Sequence, residues 1–149
     1  MQRVRFGVLI SGSGTNLQAI FDACASGAIS GEVAVVISNR EDAYGLERAE
    51  AAGVPAVFID PKDCDGVDDY NHRVLEALEL EDVRFVVMAG YMKLLGAEVL
   101  DAFPMRVVNI HPALLPSFAG AHGIRDAFDY GVKATGVTVH FANQAFDSG

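Results

Sequence analysis

The chain has 149 residues, of which 51% are hydrophobic, 21% charged and 9% aromatic. That length and composition fit one globular domain, 1–149, which buries about two-thirds of its unfolded surface and needs no disulfide or metal to hold it. Eleven Lys and Arg against 20 Asp and Glu give a formal net charge of −9, which argues against nucleic acid and anionic membranes as partners.

The elements alternate along the chain. Val4–Ile10 is a near-continuous apolar run and predicts a strand. Asn16–Ala25 carries Leu17, Ile20, Phe21 and Cys24 at helical spacing. A second run, Val33–Ile37, precedes a helical stretch at Ala43–Ala52, and a third, Ala56–Ile59, precedes the helix Tyr70–Leu80 with Val74, Leu75 and Leu78. Phe85–Ala89 is the fourth run. Ala97–Phe103 predicts a short helix closed by Pro104, and Val107–Ile110 is the fifth run. Continuous runs rather than alternation mark strands buried on both faces. Strand-helix repetition then predicts an α/β fold, a doubly wound, mostly parallel sheet with helices on both faces. The last strand, Thr135–Phe141, alternates instead: Val137, Val139 and Phe141 share one side, Thr138 and His140 the other.

Cys24 and Cys64 are far apart and lack a C-x-x-C partner, so they read as small buried hydrophobes in a reducing compartment. The basic start, 1–5, leads into an apolar run that ends at Ile10, too short for a signal peptide. No stretch approaches the roughly 20 apolar residues of a membrane span. A cytoplasmic protein is expected.

Two places carry chemistry. Ser11-Gly12-Ser13-Gly14-Thr15-Asn16 joins the first strand to the first helix. Glycines permit a tight turn there, and a helix start offers unpaired N–H groups and a positive dipole end, which suits a phosphate. A dinucleotide fingerprint would need glycine where Leu17 stands, and no Lys-Ser/Thr pair completes a Walker loop. A plain strand-to-helix turn remains the alternative for the loop alone. The second place is Asn109-Ile110-His111-Pro112, where period two puts the amide and the imidazole on one side at a strand end. An amide donor beside an imidazole supplies a hydrogen bond for a developing oxyanion and a proton shuttle. Asp147, after the last strand, is available as a carboxylate partner. A metal site is not expected, because His111, His122, His140 and Asp147 lack ligand spacing. His72 reads as a surface residue, His122 as either loop structure or a substrate contact. His140 reads as structural, with support of the site as the alternative, and the aspartates of 60–69 as a solvated loop.

Ser-Gly-Ser-Gly-Thr-Asn-Leu-Gln at 11–18, Asn-Ile-His-Pro-Ala-Leu-Leu-Pro at 109–116 and Phe-Asp-Ser-Gly at 146–149 together resemble the folate-dependent formyltransferases. The glycine loop narrows the resemblance to the glycinamide ribonucleotide branch, the phosphoribosylglycinamide formyltransferases. The resemblance implies a Rossmann-like fold, with Gly14, Thr15 and Asn16 holding the ribonucleotide phosphate. It implies that Met92, Lys93, Leu94 and Leu95 line the folate pocket, with Asn109 and the loop of Asn143, Gln144, Ala145, Phe146 and Asp147 closing it. Asn109, His111 and Asp147 match the family's catalytic three.

The implied reaction moves a formyl group from 10-formyltetrahydrofolate to the amine of 5-phosphoribosylglycinamide in purine synthesis, without a metal. Relatives often carry an arginine where Val67 stands, near the folate glutamyl tail, so that contact drops out of the expectation. They also continue past the position of Gly149 through a further strand and helix, so the sheet at 135–141 is expected to lack a neighbour. Such an apolar edge invites a second copy, leaving a homodimer open. Two other readings compete: a formyltetrahydrofolate hydrolase, which uses water as acceptor, and a noncatalytic nucleotide- or folate-binding module. A tRNA formyltransferase fits poorly with the charge of −9.

Overall fold

The computed structural model describes residues 2–145, 147 and 148. Strands β1 (Val4–Ile10), β2 (Gly31–Ser38), β3 (Ala56–Phe58), β4 (Phe85–Met88), β5 (Val107–His111) and β6 (Thr138–Phe141) form one sheet in the order β3-β2-β1-β4-β5-β6. The first five pair in parallel and β6 pairs antiparallel with β5. Helices α1 (Thr15–Ala25), α2 (Tyr44–Ala51), α3 (Val67–Leu80), α4 (Ala97–Ala102) and α5 (Gly123–Tyr130) connect them.

The strand order explains the position of the site. From β1 the chain moves outward to β2 and β3, then returns to place β4 on the other side of β1. The two halves diverge at β1/β4, and the crevice at the carboxyl ends there is where open α/β sheets take ligands. Side chains along β1 alternate between two cores. Val8 and Ile10 pack with Leu17 of α1 and Ala49 of α2, while Leu9 packs with Val74 and Leu78 of α3 and Val99 of α4. Glycine at position 7 suits that packing, since a Cβ there would run into the Leu78 side chain and stand 3.2 Å from Val83.

The sequence expectations need five corrections. Helix α3 begins at Val67, three residues before the predicted start, because Asp68 and Asp69 occupy its first turn, where acidic residues suit the helix dipole. The aspartates of 60–69 are therefore partly structural. Asp60 accepts a hydrogen bond from Lys62 N at the 3-10 turn Pro61–Asp63, and Asp69 accepts one from Asp65 N while pairing with Arg73. Helix α5 was not expected at all. Cys24 and Cys64 are half-buried rather than buried.

In β6, the alternation holds over a shorter span than 135–141, and the structure decides which side is covered. Val139 and Phe141 are exposed, while Thr138 and His140 are the partly buried pair. The inward side faces the polar ends of β5, so the two polar residues find partners there. Thr138 Oγ1 donates to Ala113 O at 2.7 Å and accepts from Leu115 N at 3.0 Å.

Candidate active site

The glycine loop leaves β1 at Ser11 and enters α1 at Thr15. Gly14 is the residue before the helix, in the left-handed region at φ 72°. Its need for glycine is twofold, because a Cβ would also stand 2.8 Å from Gly45 Cα in α2. Gly45 N donates to Gly12 O at 3.1 Å, and Arg48 Nε donates to Ser13 O at 2.8 Å. Helix α2 thus supports the loop from behind. Among the described residues no side chain caps the start of α1, which leaves its first N–H groups free to take a ligand. Thr15 and Asn16 are exposed there.

Across the crevice, β5 carries Asn109 and His111. The antiparallel pairing sets His140 directly opposite Asn109 and Thr138 opposite His111. Asn109 Nδ2 lies 3.2 Å from His140 Nε2. Asp147 folds back over this pair with its side chain only 1% exposed. One carboxylate oxygen, Oδ2, accepts from Gly120 N at 2.8 Å and lies 3.4 Å from His111 Nδ1. The other, Oδ1, is buried without a hydrogen-bond partner among the described residues, its nearest positive candidate being His140 Nε2 at 3.8 Å. A buried, unpaired carboxylate oxygen is costly, and it marks the position where a ligand donor would be most welcome.

The His111 ring is buried and contacts an acceptor at each nitrogen. Its Nδ1 faces Asp147, and its Nε2 donates to Phe118 O at 2.8 Å. The ring also abuts the start of α5, where a Cβ on Gly123 would come within 3.1 Å of Nε2. Segment 117–122 therefore covers the imidazole. Phe118 itself sits at φ 53°, unusual for a bulky residue.

A cavity of about 330 Å³ joins the two sides, lined by Asn16, Met92, Lys93, Asn109, His111 and Asp147 among others. It is within the size range of small-molecule sites. A second, narrow pocket of about 20 Å³ is lined by Leu94, Leu95, Asn109, His140, Asn143, Ala145 and Asp147 among others. Gln144 is exposed and lines neither space, and Phe146 lies outside the described residues. Beyond Leu94 a third cavity of about 400 Å³ runs past Val67 and Tyr70, with Lys93 as its charged wall. Tyr70 and Tyr91 share a buried hydroxyl pair below it. Burial pushes the Tyr91 phenol far above the ordinary tyrosine range, so it stays protonated and can only donate or accept hydrogen bonds.

A model of the formyl transferase family matches residues 4–149. The chain belongs to that family. Among curated formyltransferases, the phosphoribosylglycinamide formyltransferase of Haemophilus influenzae is 42% identical over 145 residues, covering 97% of this chain and 68% of that protein. The Escherichia coli protein of the same name is 39% identical over 142 residues, covering 95% of this chain and 67% of its own length. The crystal structure of glycinamide ribonucleotide transformylase 1 from Symbiobacterium toebii superposes with a TM-score of 0.96 at 52% identity, covering 99% of this chain and 69% of that one. The chain thus spans about two-thirds of the length of these formyltransferases.

Within this formyltransferase, the predicted Asn109, His111 and Asp147 are brought together, and the glycine loop faces them. Among the described residues, no three His, Cys, Asp or Glu side chains group as metal ligands, and no helix is long and apolar enough to cross a membrane. His122 is exposed and His72 pairs with Glu98 on the surface. The residue that sequence reasoning weighed too lightly is His140. Its signal was the alternation of β6, which puts it on the same side as Thr138, but alternation alone does not say which side is covered.

Proposed function

We propose that the chain transfers a formyl group from 10-formyltetrahydrofolate to the amine of 5-phosphoribosylglycinamide. The observation that carries this reading is the single cavity with the open start of α1 on one side and Asn109, His111 and Asp147 on the other. A phosphate held by the N–H groups of Gly14, Thr15 and Asn16 would leave the rest of a ribonucleotide extending toward His111. Water as acceptor would make no use of that cradle, which favours the amine. The flat heterocycle of the folate would enter between Leu94, Leu95, Asn143 and Ala145 as that narrow pocket widens, with a donor on it paired to the free Asp147 Oδ1. Lys93 would serve the carboxylates of the folate tail in the cavity beside Val67.

The folate supplies an activated formyl carbon. As the amine adds to it, Asn109 Nδ2–H stabilises the negative charge that moves onto the formyl oxygen. His111 Nε2–H, released from Phe118 O, donates the second hydrogen bond and then gives its proton to the departing folate nitrogen as the C–N bond to the folate breaks, while the proton lost by the attacking amine returns to Nε2. Asp147 holds the ring through Nδ1, so that Nε2 points at the reacting atoms, and His140 orients the Asn109 amide from across the sheet.

Formyl transfer measured with both substrates tests the reading. His111→Ala should lose about a hundred- to ten-thousand-fold in kcat while ribonucleotide affinity changes less than twofold. Asp147→Asn should lose about a hundredfold, as expected when a reacting group is misplaced by about 1 Å. Near-wild-type turnover in His111→Ala would refute the mechanism.

A further inference from the structure

Ser11 occupies the junction of the sheet's two halves, and its hydroxyl both donates and accepts. The residue is 5% exposed. Its Oγ donates to Asn39 Oδ1, at the end of β2, and accepts from Met92 N at 2.8 Å, in the segment after β4. Eighty-one positions of sequence separate Ser11 from Met92, yet they meet at the point where the strand order diverges. On the β4 side, Ala89 N donates to Leu9 O at 2.9 Å, two residues earlier on β1. Beyond it, the two chains part toward different ligands. One becomes the glycine loop and the other the 92–95 segment. A single hydroxyl therefore spans the place where the crevice opens.

We propose that Ser11 is a positioning residue that couples the glycine loop to the 92–95 segment, so that filling one site orders the other. The proposal rests on the formyl-transfer reading for the identity of the two ligands, but the link itself does not. A phosphate at the N–H groups of Gly14 and Asn16 fixes the loop backbone up to Ser11. A fixed Ser11 Oγ fixes the Met92 amide, and with it the backbone groups of Leu94 and Leu95. Asn39 sets the direction of the hydroxyl: because its Oδ1 takes the Oγ proton, the lone pairs of Oγ are turned to Met92. Without the hydroxyl, the Met92 N–H and the Asn39 Oδ1 would both lose their partners. The 92–95 segment would then be free to settle independently of the loop. Coupling between sites is reciprocal, and typical values are about five- to 150-fold in affinity.

Amide hydrogen exchange at Met92 tests the link without folate. Inorganic phosphate at several times its Kd should slow Met92 exchange at least fivefold in the wild type and less than twofold in Ser11→Ala. Ser11→Thr, which keeps the hydroxyl, should restore the effect. Thermal melting identifies any Ser11→Ala loss that is only a folding defect, and in that case the wild-type exchange result decides alone. Unchanged Met92 exchange on phosphate binding by the wild type would overturn the proposal. The consequence is read separately, as the ratio of tetrahydrofolate Kd values without and with saturating 5-phosphoribosylglycinamide. That ratio should be at least five in the wild type and within twofold of one in Ser11→Ala. A ratio that stays at its wild-type value in Ser11→Ala would also overturn it. Tetrahydrofolate failing to bind any variant, with the phosphate effect intact, would refute the formyl-transfer reading and leave the link established.

Discussion

Strands β1 and β2 differ from β5 and β6 in how they are held. Val8, Leu9, Ile10, Val35, Val36 and Ile37 have no exposed surface, because α1 and α2 cover one face of their strands and α3 the other. In β6, Val139 is 65% exposed, and in the neighbouring α5, Phe128 is 83% exposed. The two regions also contribute to the site differently. The first offers backbone N–H groups at a turn, which need a rigid frame and no particular side chain. The second offers side chains, Asn109, His111, His140 and Asp147, each oriented by one or two hydrogen bonds. The cradle is built from packing and the chemistry from polar contacts.

The largest expected effect sets the two regions against each other. Leu9→Ala should cost about 2–5 kcal/mol of stability, as cavities in a closed core do, while Val139→Ala should stay within about 0.5 kcal/mol. Urea unfolding of both variants measures the difference, and equal losses would break the comparison. A smaller effect sharpens the account of the glycine loop. Gly14→Ala should cost about 1–3 kcal/mol from the left-handed backbone and weaken phosphate binding at least tenfold through the contact with Gly45. Gly53→Ala serves as its control, since Gly53 has φ 71° and open space around it. It should show the strain and leave phosphate affinity alone. If Gly53→Ala weakened phosphate binding as much, contact with α2 would be irrelevant.

The smallest effect lies at the joint between the regions, where His72 of α3 meets Glu98 of α4 at 2.7 Å. The hydrogen bond and charge of Glu98, with Glu76 adding its own charge, raise His72 above its ordinary 6.5. A histidine raised in the folded state adds stability that is fully present below its unfolded value and lost as pH rises through the folded one. The melting temperature should therefore fall slightly as pH rises above 6.5 through the raised folded value, and His72→Gln should flatten that slope. A slope unchanged in His72→Gln would assign it to another group.

The sequence made β1 to β5 legible because parallel strands buried on both faces leave continuous apolar runs. It did not reveal α5: Ile124, Ala127 and Phe128 recur at helical spacing, but over only two turns, and the large members of that stripe, Ile124 and Phe128, face outward. Period two grouped Thr138 with His140, but the choice of covered face was made by the polar ends of β5, which no local pattern encodes. The glycine loop suggested its own ligand, yet the requirement for Gly14 comes equally from Gly45, 31 positions away. Asn109, His111 and Asp147 could be picked out by type and by resemblance. The Phe118 carbonyl on His111 and the Ser11 bond to Met92 could not, since a backbone acceptor and a buried hydroxyl carry no motif.

Because β6 runs antiparallel to β5, its last residue, Phe141, pairs with Val108, near the start of β5 rather than its end. The chain then has six positions in which to travel back along the sheet and deliver Asp147 beside His111. Asn143 shapes that return, its Oδ1 accepting from Ala145 N and Ser148 Oγ. Asp147 itself turns the backbone, at φ 51°, so the length of this return path works as a ruler. Proteins that keep every catalytic side chain but gain or lose one residue between Phe141 and Asp147 would displace the carboxylate from His111 Nδ1. Counting that interval is therefore as informative about activity as finding the residues themselves.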